Sequence, residues 1–185
     1  MKFNRKYNDK EITKIVDSMV ILVDTREKKI SHLLMYFKHN KIKHIIYQLP
    51  FGDYSFMIPK NDKLDIIEDI YFIDEISIER KANAEEISGN FTNGRDRFKR
   101  EFERSNKAMR LLIEDCSYSN ICNGEYDTKL SENSFVASLH SFQEKYDCQF
   151  FFTDKQHSGE YIYNTFKYYL KNYLKHKINS LTIIP

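Results

Sequence analysis

Ile70-Tyr71-Phe72-Ile73-Asp74-Glu75-Ile76-Ser77-Ile78-Glu79-Arg80-Lys81 is a largely apolar run that ends in three charges. Residues 70–78 predict a β-strand, and Glu79-Arg80-Lys81 stands at its end. Side chains alternate across a strand, so Glu79 and Lys81 share one face and Arg80 points the other way. A carboxylate beside a lysine suits phosphodiester chemistry. The acid holds a hard divalent cation, while the lysine orients a water and offsets charge on the phosphorane. Alone, such a triplet is an ordinary surface charge run. Two earlier stretches give it company. Val23-Asp24-Thr25-Arg26-Glu27 closes the apolar run 20–23, and Gly52-Asp53-Tyr54 leads into the apolar run 55–58. Asp24, Asp53 and Glu79 at strand ends or turns, with Lys81 beside them, form the acid set of a metal-dependent phosphodiesterase.

Periodicity frames this set. Residues 9–17 read as a short amphipathic helix with Ile12, Ile15 and Val16 on one face. Residues 20–23 read as a buried strand, and 30–39 as a helix with Leu33, Leu34 and Phe37 inward. Strands at 43–47 and 54–58 flank the Leu49-Pro50-Phe51-Gly52 turn, and 70–78 is the third strand of that meander. Residues 62–69 carry no readable element. A short helix starts at 83–87 and a longer one covers 95–106. Residues 111–113 are a buried strand, and 120–128 are irregular. Ser131 caps a helix to about 146 with Phe135, Leu139 and Phe142 at helical spacing. Residues 149–152 are a strand, and Ser158 opens a last helix to about 176. Strands that meander and then alternate with helices predict an α/β class, a mixed sheet covered by helices.

Composition narrows the class. A length of 185 residues suits a single domain over 1–185. Hydrophobic and aromatic contents of 41% and 15% argue for a packed core rather than disorder. No apolar run approaches the ~20 residues that cross a bilayer. Residues 1–10 are charged and polar, without the apolar stretch of a signal peptide. The expectation is no membrane partner and a cytoplasmic location, nucleoid-associated if the source is prokaryotic or viral. A net charge of +2 neither demands nor excludes nucleic acid. Cys116, Cys122 and Cys148 fit no zinc spacing and read as reduced thiols. His32, His39, His44, His140, His157 and His176 are scattered, with no recognisable spacing to a carboxylate, so histidine nucleophile chemistry is set aside.

The ordered motifs at Asp24-Thr25-Arg26-Glu27, Gly52-Asp53-Tyr54 and Glu79-Arg80-Lys81 resemble the nuclease domain of XPF-type structure-specific endonucleases. Those belong to the restriction-endonuclease-like superfamily with the PD-(D/E)XK site. The resemblance covers about residues 20–174. It implies a three-layer α/β/α fold with a central mixed sheet, and Mg²⁺- or Mn²⁺-dependent cleavage of DNA near branches or single-strand junctions. It carries Asp24, Asp53 and Glu79 over as metal-site residues and Lys81 as the catalytic lysine, with Arg26, Glu27 and Arg80 at supporting positions. The family's pattern places an Asp after three further residues. Here Glu85 stands there, with Glu86 as an adjacent rival. Family members usually carry a tandem helix-hairpin-helix module after this domain, and no such module follows here before Pro185. A catalytically inactive, nuclease-derived DNA-binding partner is the alternative reading.

Two further features bear on partners. On the helix 95–106, Arg97, Arg100, Arg104 and Lys107 fall along one face, and Phe98 and Phe102 fall nearly opposite. That stripe suits DNA phosphates, or it is a plain solvated face, since Asp96, Glu101 and Glu103 interleave with it. Arg95 lies off the stripe. In the resembled family a basic residue near here lies by the active site, which makes Arg95 or Arg97 the candidate. Residues 88–93 read as a loop between strand and helix, a flap over the site or a simple connection. On the last helix, Ile162, Phe166, Tyr169, Leu170 and Tyr173 form a core stripe. Tyr161, Tyr163 and Tyr168 add aromatics on other faces, which suits a homodimer or heterodimer interface.

Overall fold

Alternation along the strands builds two cores, one on each side of a single sheet. The computed structural model describes residues 3–105 and 109–177. The strands are β1 (Val20–Asp24), β2 (His44–Tyr47), β3 (Tyr54–Ile58), β4 (Ile70–Tyr71), β5 (Ser77–Lys81), β6 (Met109–Glu114) and β7 (Gln149–Thr153). They lie in the order β2-β1-β3-β5-β6-β7, with β4 beside β3. β1 and β2 are parallel, as are β5, β6 and β7, while β3 runs antiparallel to both β1 and β5. Ile21, Val23, Phe56, Ile78 and Leu112 face α1 (Asp9–Ser18), α2 (Ser31–His39) and α7 (Ser158–Asn172). Leu111 and Ile113 face the opposite way, into a cluster with α3 (Ala84–Phe91), α4 (Arg95–Arg104) and α6 (Glu132–Tyr146). The result is the expected α/β/α sandwich around a mixed sheet. Among the described residues, no helix is long and apolar enough to cross a membrane.

The meander is not built as the sequence suggested. β2 and β3 do not pair across the 49–52 turn, because β1 lies between them. The apolar run Val20–Val23 explains this. Its interior is buried on both faces, so it takes a strand on each edge. The crossover through α2 supplies the parallel one.

The run 70–78 is likewise not one strand. Phe72 turns inward to stack on Phe56, with ring centroids 4.4 Å apart. A turn follows in which the Glu75 and Ile76 amides donate to the Phe72 carbonyl. A ladder continued from Ile58 opposite Ile70 would set Tyr54 against Asp74, yet Tyr54 faces Ile78. Burial of one phenyl ring outweighs the continuous pairing.

Three smaller readings change. Residues 88–91 are not a loop but the last turns of α3, pinned by Phe91 against Phe135 and Phe142. A short helix, α5 (Tyr118–Cys122), sits inside the stretch expected to be irregular, and Ser117 and Asn120 close its capping box. The last helix passes into a π-turn at Tyr173–Lys177. The Ser131 cap on α6 is as expected, its hydroxyl accepting from the Ser134 amide.

α2 and α7 pack through Gly159, where a Cβ would lie 2.7 Å from Tyr36 Cδ1 and 2.9 Å from its Cβ. Both atoms lie near the root of the side chain, so relief requires one helix to move. We expect Gly159→Ala to lose about 1–2 kcal/mol despite alanine's better helix propensity. The readout is a lower urea midpoint at unchanged slope. A midpoint equal to the parent's would show that this contact does not limit the packing.

Candidate active site

The candidate residues gather where β1, the turn before β3, and β5 come together in the middle of the sheet. Gly52 has φ +67° and a Cβ there would stand 3.0 Å from Ser77 Cβ, so glycine lets the turn press onto β5. Asp53 is then stitched between its neighbours. Its amide donates to the Ile78 carbonyl at 2.8 Å, its carbonyl accepts from the Asp24 amide at 2.8 Å, and its Oδ2 accepts from the Arg80 amide at 2.8 Å.

Glu79 and Lys81 are 5% and 6% exposed and point to the same side, as alternation required. Lys81 Nζ donates to Glu79 Oε1 at 2.6 Å, and lies 5.2 Å from the centre of the Phe98 ring. A cleft of about 260 Å³ opens over them. Asp53, Glu79 and Lys81 line it from the sheet, Arg26 and Glu27 from the turn after β1, and Glu86, Asn90, Arg97 and Glu101 from α3 and α4.

Crowded acids set the electrostatics. Burial, then the charges of Glu79 and Glu27, push the Asp53 carboxyl well above the ordinary carboxylate range. Burial also raises Glu79, where Lys81 opposes the shift and Glu101 adds to it. Burial disfavours the Lys81 ammonium, yet Glu79 and Asp53 outweigh it and raise its pKa. The cleft therefore favours an added positive charge.

Arg80 points through the sheet to the other side. Its Nε meets Glu27 Oε1 at 2.8 Å, its Nη1 meets Glu114 Oε2 at 2.7 Å, and its Nη2 donates to the Lys28 carbonyl at 3.2 Å. The Tyr54 hydroxyl donates to Glu27 Oε1, and His32 Nε2 lies 2.9 Å from Glu114 Oε1. Glu114 was missed in the sequence. Its signal was an acid closing the apolar strand Met109–Glu114, where burial demands a cation. Two histidines meet carboxylates, His32 meeting Glu114 inside the fold and His157 meeting Asp154 at 2.7 Å on the surface.

Three predicted residues sit elsewhere than expected. Asp24 is fully buried and does not line the cleft. Its Oδ1 accepts from the Arg26 amide and Nε, and its Oδ2 from the Leu49 amide at 2.7 Å. Burial opposes its charge, but these donors hold its carboxyl below the usual range. Asp24 thus fastens the end of β1 to the 49–52 turn. Glu85 turns away to accept from the Asp127 amide at 3.0 Å. Its neighbour Glu86 faces the site, with Oε1 3.9 Å from Lys81 Nζ. Arg95 bonds the Phe91 carbonyl and lies over the Phe142 ring, away from the cleft, whereas Arg97 reaches it. Arg97, Arg100 and Arg104 are exposed along α4, and Phe98 and Phe102 are buried. Lys107 lies outside the described residues. Among the described residues, no group of three or more His, Cys, Asp or Glu side chains stands ready to hold a metal.

The raised Asp53 carboxyl has a consequence for stability. Its folded pKa exceeds the unfolded value near 3.9, so the folded state keeps a proton that the unfolded chain releases. Stability from this group is present at low pH and falls as pH rises from about 4 through the raised value. Asp53→Asn keeps an acceptor for the Arg80 amide and removes the effect. Without metal, the variant is expected to match the parent near pH 4. By pH 8 it should melt higher than the parent, and the gap should widen as pH rises between the two. A parent as stable as the variant at pH 8 in EDTA would contradict the electrostatic assignment.

The chain matches the ERCC4 domain over residues 23–165, which takes in all three acidic motifs. Among curated proteins nothing matches. XPF from Aeropyrum pernix superimposes with a TM-score of 0.59 at 18% identity, covering 81% of this chain and 61% of that one. XPF from Aeropyrum pernix in complex with DNA gives a TM-score of 0.60 at 19% identity, covering 82% of this chain and 65% of that one. The chain thus spans just under two thirds of the length of these solved chains. Such identities establish the fold, and the family match spans most of the sequence, so this chain belongs to the ERCC4 domain family and has the XPF-type nuclease fold.

Proposed function

We propose that this chain is a divalent-cation-dependent endonuclease. It hydrolyses DNA phosphodiesters at branched or single-strand/duplex junctions, in repair, recombination or mobile-element replication. The observation that carries this reading is the convergence of Asp53, Glu79 and Lys81 in one cleft. Mg²⁺ and Mn²⁺ fit these residues. Mg²⁺ is commonly bound through one or two carboxylates and keeps several waters, and two buried carboxylates whose pKa values are both raised, Asp53 in part by the charge of Glu79, suit it. Asp53 and Glu79 would hold the ion, with Glu86 and Glu101 beside it. A bound ion supplies a positive charge for the phosphoryl oxygen and lowers the pKa of a water.

The residues of the chain do the rest. Lys81, anchored on Glu79, presents an ammonium where charge accumulates on the phosphorane. Arg80 aligns β5 from below, and Glu27 holds Arg80. Arg97, Arg100 and Arg104 lead out of the cleft along α4 and would track the strand's phosphates. The complex of the similar XPF with DNA supports DNA as the partner.

We expect Lys81→Ala and Asp53→Ala to remain folded and to lower Mg²⁺-dependent nicking by at least about 100-fold. The assay sets flap, fork, Holliday and plain duplex DNA side by side in Mg²⁺, Mn²⁺ and EDTA. Either variant cutting as fast as the parent would refute the site assignment. DNA binding without cutting of any substrate would leave the inactive-partner reading.

We also propose a dimer through α7. A groove of about 760 Å³ beside this helix is lined by Tyr161, Tyr168, Tyr169 and Arg110, and Tyr168 is 56% exposed. Tyrosine and arginine are enriched at interfaces. Light scattering after size exclusion should return a dimer for the parent and a monomer for Tyr168→Glu. A parent that is strictly monomeric at micromolar concentration would remove the proposal.

A further inference from the structure

Asn90 lines the cleft from α3, one helical turn after Glu86. Its Oδ1 is buried and has no hydrogen-bond partner. The obvious donors nearby are committed. Lys81 is bonded to Glu79, Arg80 to Glu27 and Glu114, and Arg26 to Asp24. A buried acceptor left without a donor costs roughly 1–3 kcal/mol, which makes such an atom informative in a cleft of charged groups. In this structure it accepts from no protein donor, Arg97 of the same cleft included.

The chemistry of the ligand limits what that donor is. A DNA backbone offers phosphate and sugar oxygens, which are acceptors. A divalent cation brings waters whose O–H groups are strong donors, and Mg²⁺ gives them up reluctantly. Asp53 and Glu79 line the same cleft, so a cation on them would bring its waters into the space that Asn90 borders.

We propose that Asn90 is an outer-sphere positioning residue, its amide oxygen accepting a hydrogen bond from a water on the cation held by Asp53 and Glu79. This rests on the metal reading above. Acceptors around a metal's own ligands typically alter metal affinity about 10–100-fold when removed. Asn90 would also fix the orientation of the water it holds.

The test is Mn²⁺ binding by isothermal titration in the absence of DNA, with Asn90→Leu, Asn90→Asp, Asn90→Ala and Asp53→Asn, each checked for folding by circular dichroism. Asn90→Leu should bind Mn²⁺ about tenfold more weakly, and Asn90→Asp, which keeps an acceptor in place, at least as tightly as the parent. Asn90→Ala should fall between the parent and the leucine variant, and it replaces that variant if leucine does not fold. Equal Mn²⁺ affinity for the parent and the acceptor-less variants would overturn the proposal. So would an Asn90→Asp variant as weak as Asn90→Leu. Weaker DNA binding in EDTA with unchanged Mn²⁺ affinity would assign the amide to the substrate instead and overturn it too. If Asp53→Asn binds Mn²⁺ as the parent does, it is the metal site itself that fails.

Discussion

A single buried guanidinium organises the molecule. Arg80 lies between Glu27 and Glu114, with all three side chains withdrawn from solvent. Charges taken out of water are tolerated only when paired and hydrogen-bonded, and removing one partner of such a pair typically costs about 3–5 kcal/mol. The pairing therefore constrains three parts of the chain at once. Glu27 brings the turn after β1, Glu114 brings the end of β6, and Arg80 sits in β5 between them. His32 extends the contact to α2. Because strand neighbours alternate, fixing Arg80 on one side fixes Glu79 and Lys81 on the other.

The opposite side of that strand is arranged against stability. Asp53 and Glu79 are both raised, Asp53 by burial and by the charges of Glu79 and Glu27, and Glu79 by burial and by the charge of Glu101. Lys81 compensates one of them through its 2.6 Å bond to Glu79. The same chain treats another buried acid, Asp24, differently. That carboxylate receives three donors and stays charged without difficulty. The contrast separates acids that tie strands together from acids kept short of partners, and strongly perturbed groups in a cleft are the usual mark of a functional site.

Local features of this architecture were readable in the sequence, and distant ones were not. The faces of β5, the buried side of α4 and the Ser131 cap follow from spacing alone, and the structure has all three. The insertion of β1 between β2 and β3 depends on a crossover. The interruption at Phe72 depends on a ring from another strand. Glu114 and His32 acquire meaning only through partners 34 and 82 residues away. Motif order pointed to Asp53, Glu79 and Lys81, which line one cleft, but could not tell Glu85 from Glu86. That choice is made by the Asp127 amide, which draws Glu85 aside. Asn90 carries no motif, and only its missing partner singles it out.

The position of β6 has a bearing on how the chain matures during synthesis. Every side chain that lines the cleft precedes residue 105, yet the counter-ion that seats Arg80 arrives with Glu114. While only the earlier part has left the ribosome, β5 is an open edge, and a cation on it faces no second acid. Parallel pairing of β6 with β5, and then of β7 with β6, closes that edge. β5 is thus seated late, after all of the cleft's own residues have been translated. A nascent chain of this design completes the support of its cleft only when the scaffold behind it has been made.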